Sequence, residues 1–413
     1  MDIRSAEPSN ADTSMLEDGS HHWRRNLAIC VFGSFTTIIG MTLLLPFLPL
    51  YVEQLGVTDH AAIVQWSGVA YGAAFFSAAL TAPLWGRLAD RYGRKLMLIR
   101  ASLGMSIAMS LIGMAENVYQ LVGLRLLAGL LGGYASGSMV LVATQTPKLR
   151  TGWALGVMSS GIMAGNLVGP LIGGALPPLI GIRATFLASG VLIFVAFLVT
   201  AFFIKEERRP AFNKATGKPK VGLAAVPDKG PLVAMLVTGA LLMLANMSIE
   251  PIITVYVAQF AEPGSVTMVS GLVMSATALG SILSASRLGR LADRVGHWNV
   301  IIGCLAVSAV LLIPQAFVTQ SWQLVVLRFL MGLSLGGLLP CIATVIRHNV
   351  PERVAGGMLG YSTSAQYVGQ VVGPLAGGFV GGHFGMRWVF LGTCLLMAMG
   401  AVYNRIVRAR RGH

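Results

Sequence analysis

Polar and apolar residues along this 413-residue chain segregate into blocks. Twelve apolar runs are long enough to cross a bilayer as helices, which takes about 20 residues each. They cover roughly 27–51, 64–87, 96–115, 119–144, 154–177, 183–204, 232–257, 268–289, 298–318, 322–346, 355–381 and 387–405. An isolated strand leaves its backbone unpaired in lipid, whereas a helix pairs its own, so each run predicts a spanning helix. Residues 205–231 break the rhythm: rich in Lys, Arg and Pro, they are too polar to span and too short to form a domain. They predict a linker. The expected organisation is therefore a tail over 1–26, a six-helix bundle over 27–204, that linker, a second bundle over 232–405 and a tail over 406–413.

The two halves repeat each other. Gly86-Arg-Leu-Ala-Asp90-Arg91-Tyr-Gly93-Arg94-Lys95 returns 203 residues later as Gly289-Arg-Leu-Ala-Asp293-Arg294-Val-Gly296. Pro46 and Tyr51 match Pro251 and Tyr256, Arg125 matches Arg328, Gly169-Pro170 matches Gly373-Pro374, and Arg183 matches Arg387, all at offsets of 203 to 205. Six spans per half give both repeats the same orientation. Parallel repeats imply a central cavity between two bundles, open to either side in turn. The predicted fold is an all-α integral membrane protein with twelve transmembrane helices in two parallel six-helix repeats.

Composition supports the membrane reading. Charged residues make up 11% of the chain and mean hydropathy is +0.72, against about a quarter charged in soluble proteins. The net charge of +14 would suggest nucleic acid in a soluble protein. Here the cations sit in alternate turns, and the turns near 53–63, 116–120, 258–267 and 318–323 carry no Lys or Arg. That is the positive-inside pattern, and it predicts both termini in the cytoplasm. The polar, acidic stretch up to about residue 20 has no signal-peptide pattern.

Cys30, Cys304, Cys341 and Cys394 stand apart within apolar runs, so neither a metal site nor a disulfide framework is expected. No GxxxxGK[ST] occurs, which argues against direct drive by ATP. His60, His297, His348 and His383 stand alone near turns, with no nucleophile–base constellation. A transporter is expected, without cofactor or metal, and nothing requires more than a monomer.

Four features carry candidate chemistry. In the turn at 86–95, Asp90 can accept hydrogen bonds from a helix N-terminus of the other half, and Arg91, Arg94 and Lys95 can anchor to anionic headgroups. In the fifth span, Gly156, Gly165, Gly169-Pro170 and Gly173-Gly174 offer a flat face for close helix approach, with Pro170 removing a backbone donor. Arg125 lies in the fourth span, four residues before Gly129. A guanidinium at that depth should face a partner or the interior, or else tie the bundle to the Asp90 turn. Glu250, alone among the 16 acidic residues, stands well inside a span, just before Pro251. Such a carboxylate suits proton carriage, the binding of a cationic substrate or a structural role, and Asn246, one turn earlier, could hydrogen-bond it. Tyr256, Gln145, Tyr361, Gln366, Tyr367 and Gln370 are further cavity candidates; the last three share one side of the eleventh span.

These motifs together resemble the major facilitator superfamily, in its twelve-span drug:proton antiporter branch. The turn at 86–95 fits the family's signature between spans two and three: a Gly, three residues, Asp-Arg, one residue, Gly-Arg-Lys. The glycine pattern of span five resembles the antiporter motif, and span eleven repeats it at Gly360, Gly369, Gly373-Pro374 and Gly377-Gly378. Gly40, Pro46 and Pro49 in the first span also match this branch. The resemblance implies that the charged turn latches an outward-open state on the cytoplasmic side, with Gly289, Asp293, Arg294 and Gly296 as its repeat. It also implies that Arg125 takes part in proton coupling. The expected function is proton-driven export of small amphipathic compounds from a bacterial inner membrane, with protons and the bilayer as partners. A proton-coupled transporter of one metabolite is the alternative, and a non-transporting sensor is a third reading.

Overall fold

The computed structural model describes residues 21–206, 226 and 228–410, with 352 and 353 described in their backbone alone. The acidic stretch up to residue 20, most of the expected linker and the last three residues lie outside the described residues. Those described form helices and turns, with no strand among them.

Eleven segments have the length and apolarity to cross a bilayer. We number the spans α1 (Trp23–Gln54), α2 (His60–Tyr92), α3 (Arg94–Ile112), α4 (Val118–Gln145), α5 (Lys148–Ile180) and α6 (Ile182–Phe203) in the first half. In the second half they are α7 (Lys229–Val257), α8 (Pro263–Val295), α9 (His297–Gln315), α10 (Ser321–Asn349), α11 (Glu352–His383) and α12 (Met386–Ala409). The more polar α11 completes the twelve by its length of 32 residues and its packing against α7 and α2. Several helices run past the expected spans: α1 starts at Trp23, α7 at Lys229, and α12 reaches Ala409. Hydropathy marks the thickness of hydrocarbon, while a helix continues into the interface where its backbone is still best paired internally.

The internal repeat appears in the irregularities of the helices. α1 tightens into a 3₁₀ turn at Leu45–Phe47 and α7 does so at Glu250–Ile252, each with proline at the second position. Proline removes the N–H that would bond four residues back, so the chain closes a tighter turn instead. α4 breaks at Gly132-Gly133 and α10 at Gly336-Gly337. Gly93 and Gly296, between α2 and α3 and between α8 and α9, have φ of +100° and +92°, a region that glycine alone reaches cheaply. The Tyr51 hydroxyl donates to the Ile112 carbonyl at 2.5 Å, and the Tyr256 hydroxyl to that of Gln315 at 2.7 Å.

Contacts between the bundles come chiefly from α2 with α11 and α5 with α8. They concentrate in the half of each helix far from the basic turns. A methyl added at Gly68 would lie 2.1 Å from the Pro374 carbonyl oxygen, and one at Gly382 would lie 2.7 Å from that of Ala61. The Thr267 hydroxyl donates to the Gly174 carbonyl at 3.0 Å, and that of Ser275 to Leu167 at 2.7 Å. The Thr254 hydroxyl reaches the Pro46 carbonyl at 3.0 Å and so joins the two 3₁₀ turns. Toward the basic turns, by contrast, nothing lies within 4 Å of where a methyl would stand at Gly86, Gly152, Gly156, Gly289, Gly356 or Gly360. The seam between the bundles is sealed at one end and parts toward the other.

Candidate functional site

At the sealed end the structure brings together residues from four spans. Glu250 opens the 3₁₀ turn of α7, which touches both α2 and the 3₁₀ turn of α1. Its side chain is half-buried and makes no hydrogen bond among the described residues. It lies within electrostatic reach of Arg328 on α10 and of Tyr71 on α2. Arg328 is 4% exposed, and its guanidinium carbon stands 5.8 Å from the centre of the Phe390 ring. Its Nε and Nη2 have no hydrogen-bond partner among the described residues.

The first bundle has a matching arginine without a matching acid. Arg125, with no exposed surface, donates from Nε to the Ala70 carbonyl at 3.2 Å, while Nη1 and Nη2 are unpaired among the described residues. Its guanidinium carbon is 5.8 Å from the centre of the Tyr71 ring. The repeat counterpart of Glu250 is Leu45, which is buried. Tyr71, 3% exposed, thus lies beside the Arg125 of its own bundle and within electrostatic reach of the Glu250 of the other. A buried guanidinium, Arg328, within electrostatic reach of the half-buried carboxylate makes the charge state of Glu250 costly to change without a response from its neighbour.

The expected tie from Arg125 to the Asp90 turn is not present. Asp90 lies 20 residues beyond Ala70 along α2, which is about 30 Å of helix at 1.5 Å per residue. Nor does Asn246 hydrogen-bond the Glu250 side chain; the only bond between the two is the backbone one, from the Glu250 N–H to the Asn246 carbonyl.

The charged turns stand at the parted end. The Asp90 side chain is 63% exposed and accepts from Arg94 Nη2 at 2.5 Å, so it reaches no helix of the other bundle. Arg91 lies over the Tyr92 ring at 5.3 Å. Asp293, 72% exposed, sits 3.6 Å from Nε2 of His297, whose ring is 6.0 Å from that of His348. These two histidines therefore do not stand alone as expected: the turn into α9 and the end of α10 converge, a meeting that linear spacing does not reveal. Sequence reasoning also missed Glu206. Its carboxylate accepts from the backbone N–H of Arg94 and of Lys95, both at 2.8 Å, and caps α3.

The span-five glycines divide by face. A methyl at Gly165, Gly169 or Gly173 would meet α1, the last at 1.8 Å from the Leu43 carbonyl oxygen. One at Gly174 would meet Thr267 of α8 at 2.7 Å, and Pro170 presents its carbonyl to Gly271 of α8. Gly156 touches neither helix. α11 repeats this: Gly369, Gly373 and Gly377 face α7, Gly378 faces α2, and Gly360 is open.

The expected cavity residues separate as well. Gln366, Tyr367 and Gln370 are partly exposed; Gln366 bonds weakly to Ser362 at 3.4 Å and Gln370 approaches the Met243 sulfur at 3.6 Å. Tyr361 is 46% exposed. Two candidates are structural instead. Tyr256 is 3% exposed, its ring edge to face with Phe260 and tilted against Phe390. Gln145 is 7% exposed and accepts from Asn26 at 2.8 Å, while Asn26 also bonds the Lys205 backbone. A buried amide or phenol with its partner satisfied is spoken for.

Comparison with known proteins agrees with this architecture. The family model described as Major Facilitator Superfamily matches residues 30–299 and 235–412. The chain is 41% identical over 396 residues to the multidrug resistance protein MdtG of Enterobacter lignolyticus, covering 96% of this chain and 95% of that one. It is 43% identical over 384 residues to MdtG of Serratia proteamaculans, covering 93% of each. Among solved structures, it resembles a bacterial homolog to the human lysosomal transporter Spinster in an inward-facing and occupied conformation, with a TM-score of 0.76 at 16% identity, over 95% of this chain and 98% of that one. It also resembles the human organic anion transporter MFSD10, with a TM-score of 0.67 at 17% identity, over 93% and 100%.

Proposed function

This chain belongs to the Major Facilitator Superfamily, and from that premise we propose that it exports amphipathic compounds in exchange for protons. The exporter works by alternating access across a bacterial inner membrane, with both termini in the cytoplasm. The observation that carries this reading is the position of Glu250, a half-buried carboxylate at the sealed end of a seam that parts toward the basic turns. The positive-inside rule assigns those turns to the cytoplasm. The described state is then inward-facing, and a solute from the cytoplasm or inner leaflet can move up to Glu250.

Glu250, when ionised, balances the charge of Arg328 in its own bundle. When the seam opens outward, a proton from outside neutralises Glu250, and the buried Arg328 loses its anion. Relief of that imbalance favours return to the inward-facing state, where the proton leaves to the cytoplasm. A proton can drive the cycle only through such a difference between its affinities for the two states. Inward movement of one charge contributes about 2.3 kcal/mol per 100 mV. The relatives' name, multidrug resistance protein, supports amphipathic drugs as substrates. The 20 methionines suit a pocket that adapts to varied apolar shapes.

The test is retention of a fluorescent amphipathic dye by cells expressing the chain. We expect faster dye loss than in cells without it, abolished when a protonophore collapses the gradient. Dye loss that ignores the protonophore and stops on ATP depletion would contradict the proposal.

A further inference from the structure

Where α1 and α5 part at the basic end, a groove of about 750 Å³ lies between them. Its mouth carries two indoles and two guanidinium groups. The Trp23 and Trp153 rings meet edge to face at 6.5 Å. The guanidinium carbons of Arg24 and Arg150 stand 5.4 and 5.8 Å from the Trp23 ring centre, so both cations converge on one aromatic. Neither forms an ion pair among the described residues. The floor is apolar, made by Leu27, Ala28, Val31 and Val157. Val31 is eight residues from Trp23, about 12 Å deeper along the helix.

We propose that this groove binds one anionic phospholipid, its phosphate held by Arg24 and Arg150 and one acyl chain lying along the floor. Three observations select this occupant. Tryptophans at helix ends mark the headgroup level of a bilayer. Two converging cations without an acidic partner among the described residues call for an anion at that level. The apolar floor then continues inward from the charged mouth, a polarity gradient that fits a lipid and does not fit a free anion. The volume falls in the range that holds a drug-sized ligand, enough for a headgroup and part of a chain. The lipid would wedge the two helices apart at the end where the seam is open, just below the point where Gly161 meets Val31. This inference requires that the chain sit in a bilayer and is independent of proton-driven export.

The test is native mass spectrometry of the full chain titrated with phosphatidylglycerol, comparing Arg24→Gln/Arg150→Gln with Arg287→Gln/Arg290→Gln. The second pair removes the same charge from the basic end of α8. A favourable contribution of about 1 kcal/mol for each cation predicts at least a tenfold loss of affinity in the first pair and little change in the second. Ala28→Phe, which fills the floor and keeps both cations, should weaken a long-chain lipid more than a short-chain one. Equal losses in the two arginine pairs would mean general surface electrostatics and overturn the proposal. Competition by inorganic phosphate would mean a free-anion site, and undiminished binding to Ala28→Phe would remove the acyl chain from the groove; either also overturns it.

Discussion

Asp90 and Arg94 pair across a single turn of chain, at 2.5 Å, on either side of Gly93. The aspartate thus spends its hydrogen bond within its own turn, and the two bundles are unlatched at the basic end. A carboxylate is stabilised at a helix N-terminus by the dipole and free N–H groups there. Closure of the basic end would offer Asp90 such a site on the other bundle. Asp90→Asn should therefore leave the inward-facing state intact and destabilise the outward-facing one by about 1–3 kcal/mol, the usual size of such couplings. Spin labels at the basic ends of α2 and α11 would show this as a shift toward the longer distance.

The glycine faces make a sharper structural prediction. Gly173→Ala places a methyl 1.8 Å from a carbonyl oxygen of α1, and Gly377→Ala 1.9 Å from one of α7. Backbone cannot step aside as a side-chain tip can, so each should cost about 1–3 kcal/mol and lower the melting temperature in detergent. Gly156→Ala meets no neighbour in this state and should hold that temperature or raise it slightly, since Ala is favoured over Gly inside a helix by about 0.5–1 kcal/mol.

Glu206 caps α3 with two charge-assisted hydrogen bonds. Glu206→Ala should cost about 0.5–2 kcal/mol, as the loss of an N-cap does. The loss should appear as faster hydrogen exchange at the Arg94 and Lys95 amides, with α9, its repeat counterpart, unaffected.

Tyr71 stands beside Arg125 and within reach of Glu250. Tyr71→Phe keeps the ring over the guanidinium and removes only the hydroxyl. If that hydroxyl couples the two bundles, proton-linked export should fall about 5- to 150-fold, the range of measured couplings, with no change in melting temperature. Arg125→Lys, which lacks the Nε–H that donates to Ala70 and the planar group beside the Tyr71 ring, should impair export comparably.

The architecture was legible because lipid thickness imposes a run length and because the chain repeats itself. Pro46 with Pro251 and Gly93 with Gly296 were readable as pairs and occur as paired backbone irregularities. Side-chain roles were less legible. Tyr256 looked like a cavity residue because a polar tip in an apolar run has two solutions, a cavity or a buried partner, and only the packing chooses the Gln315 carbonyl. Glu206 was hidden in a basic, linker-like stretch, and its cap is made with residues 112 and 111 positions away. Tyr71 lies in an unremarkable part of α2, and its reach to Glu250 comes from how the halves meet.

The most direct test of the account is proton flux in everted membrane vesicles, followed by an acid-quenched fluorophore while amphipathic compounds are added. The account predicts dequenching with the wild type and none with Glu250→Gln, although the variant is inserted and folded. Dequenching of equal size in both would contradict it, for the proton would then be carried elsewhere than on Glu250.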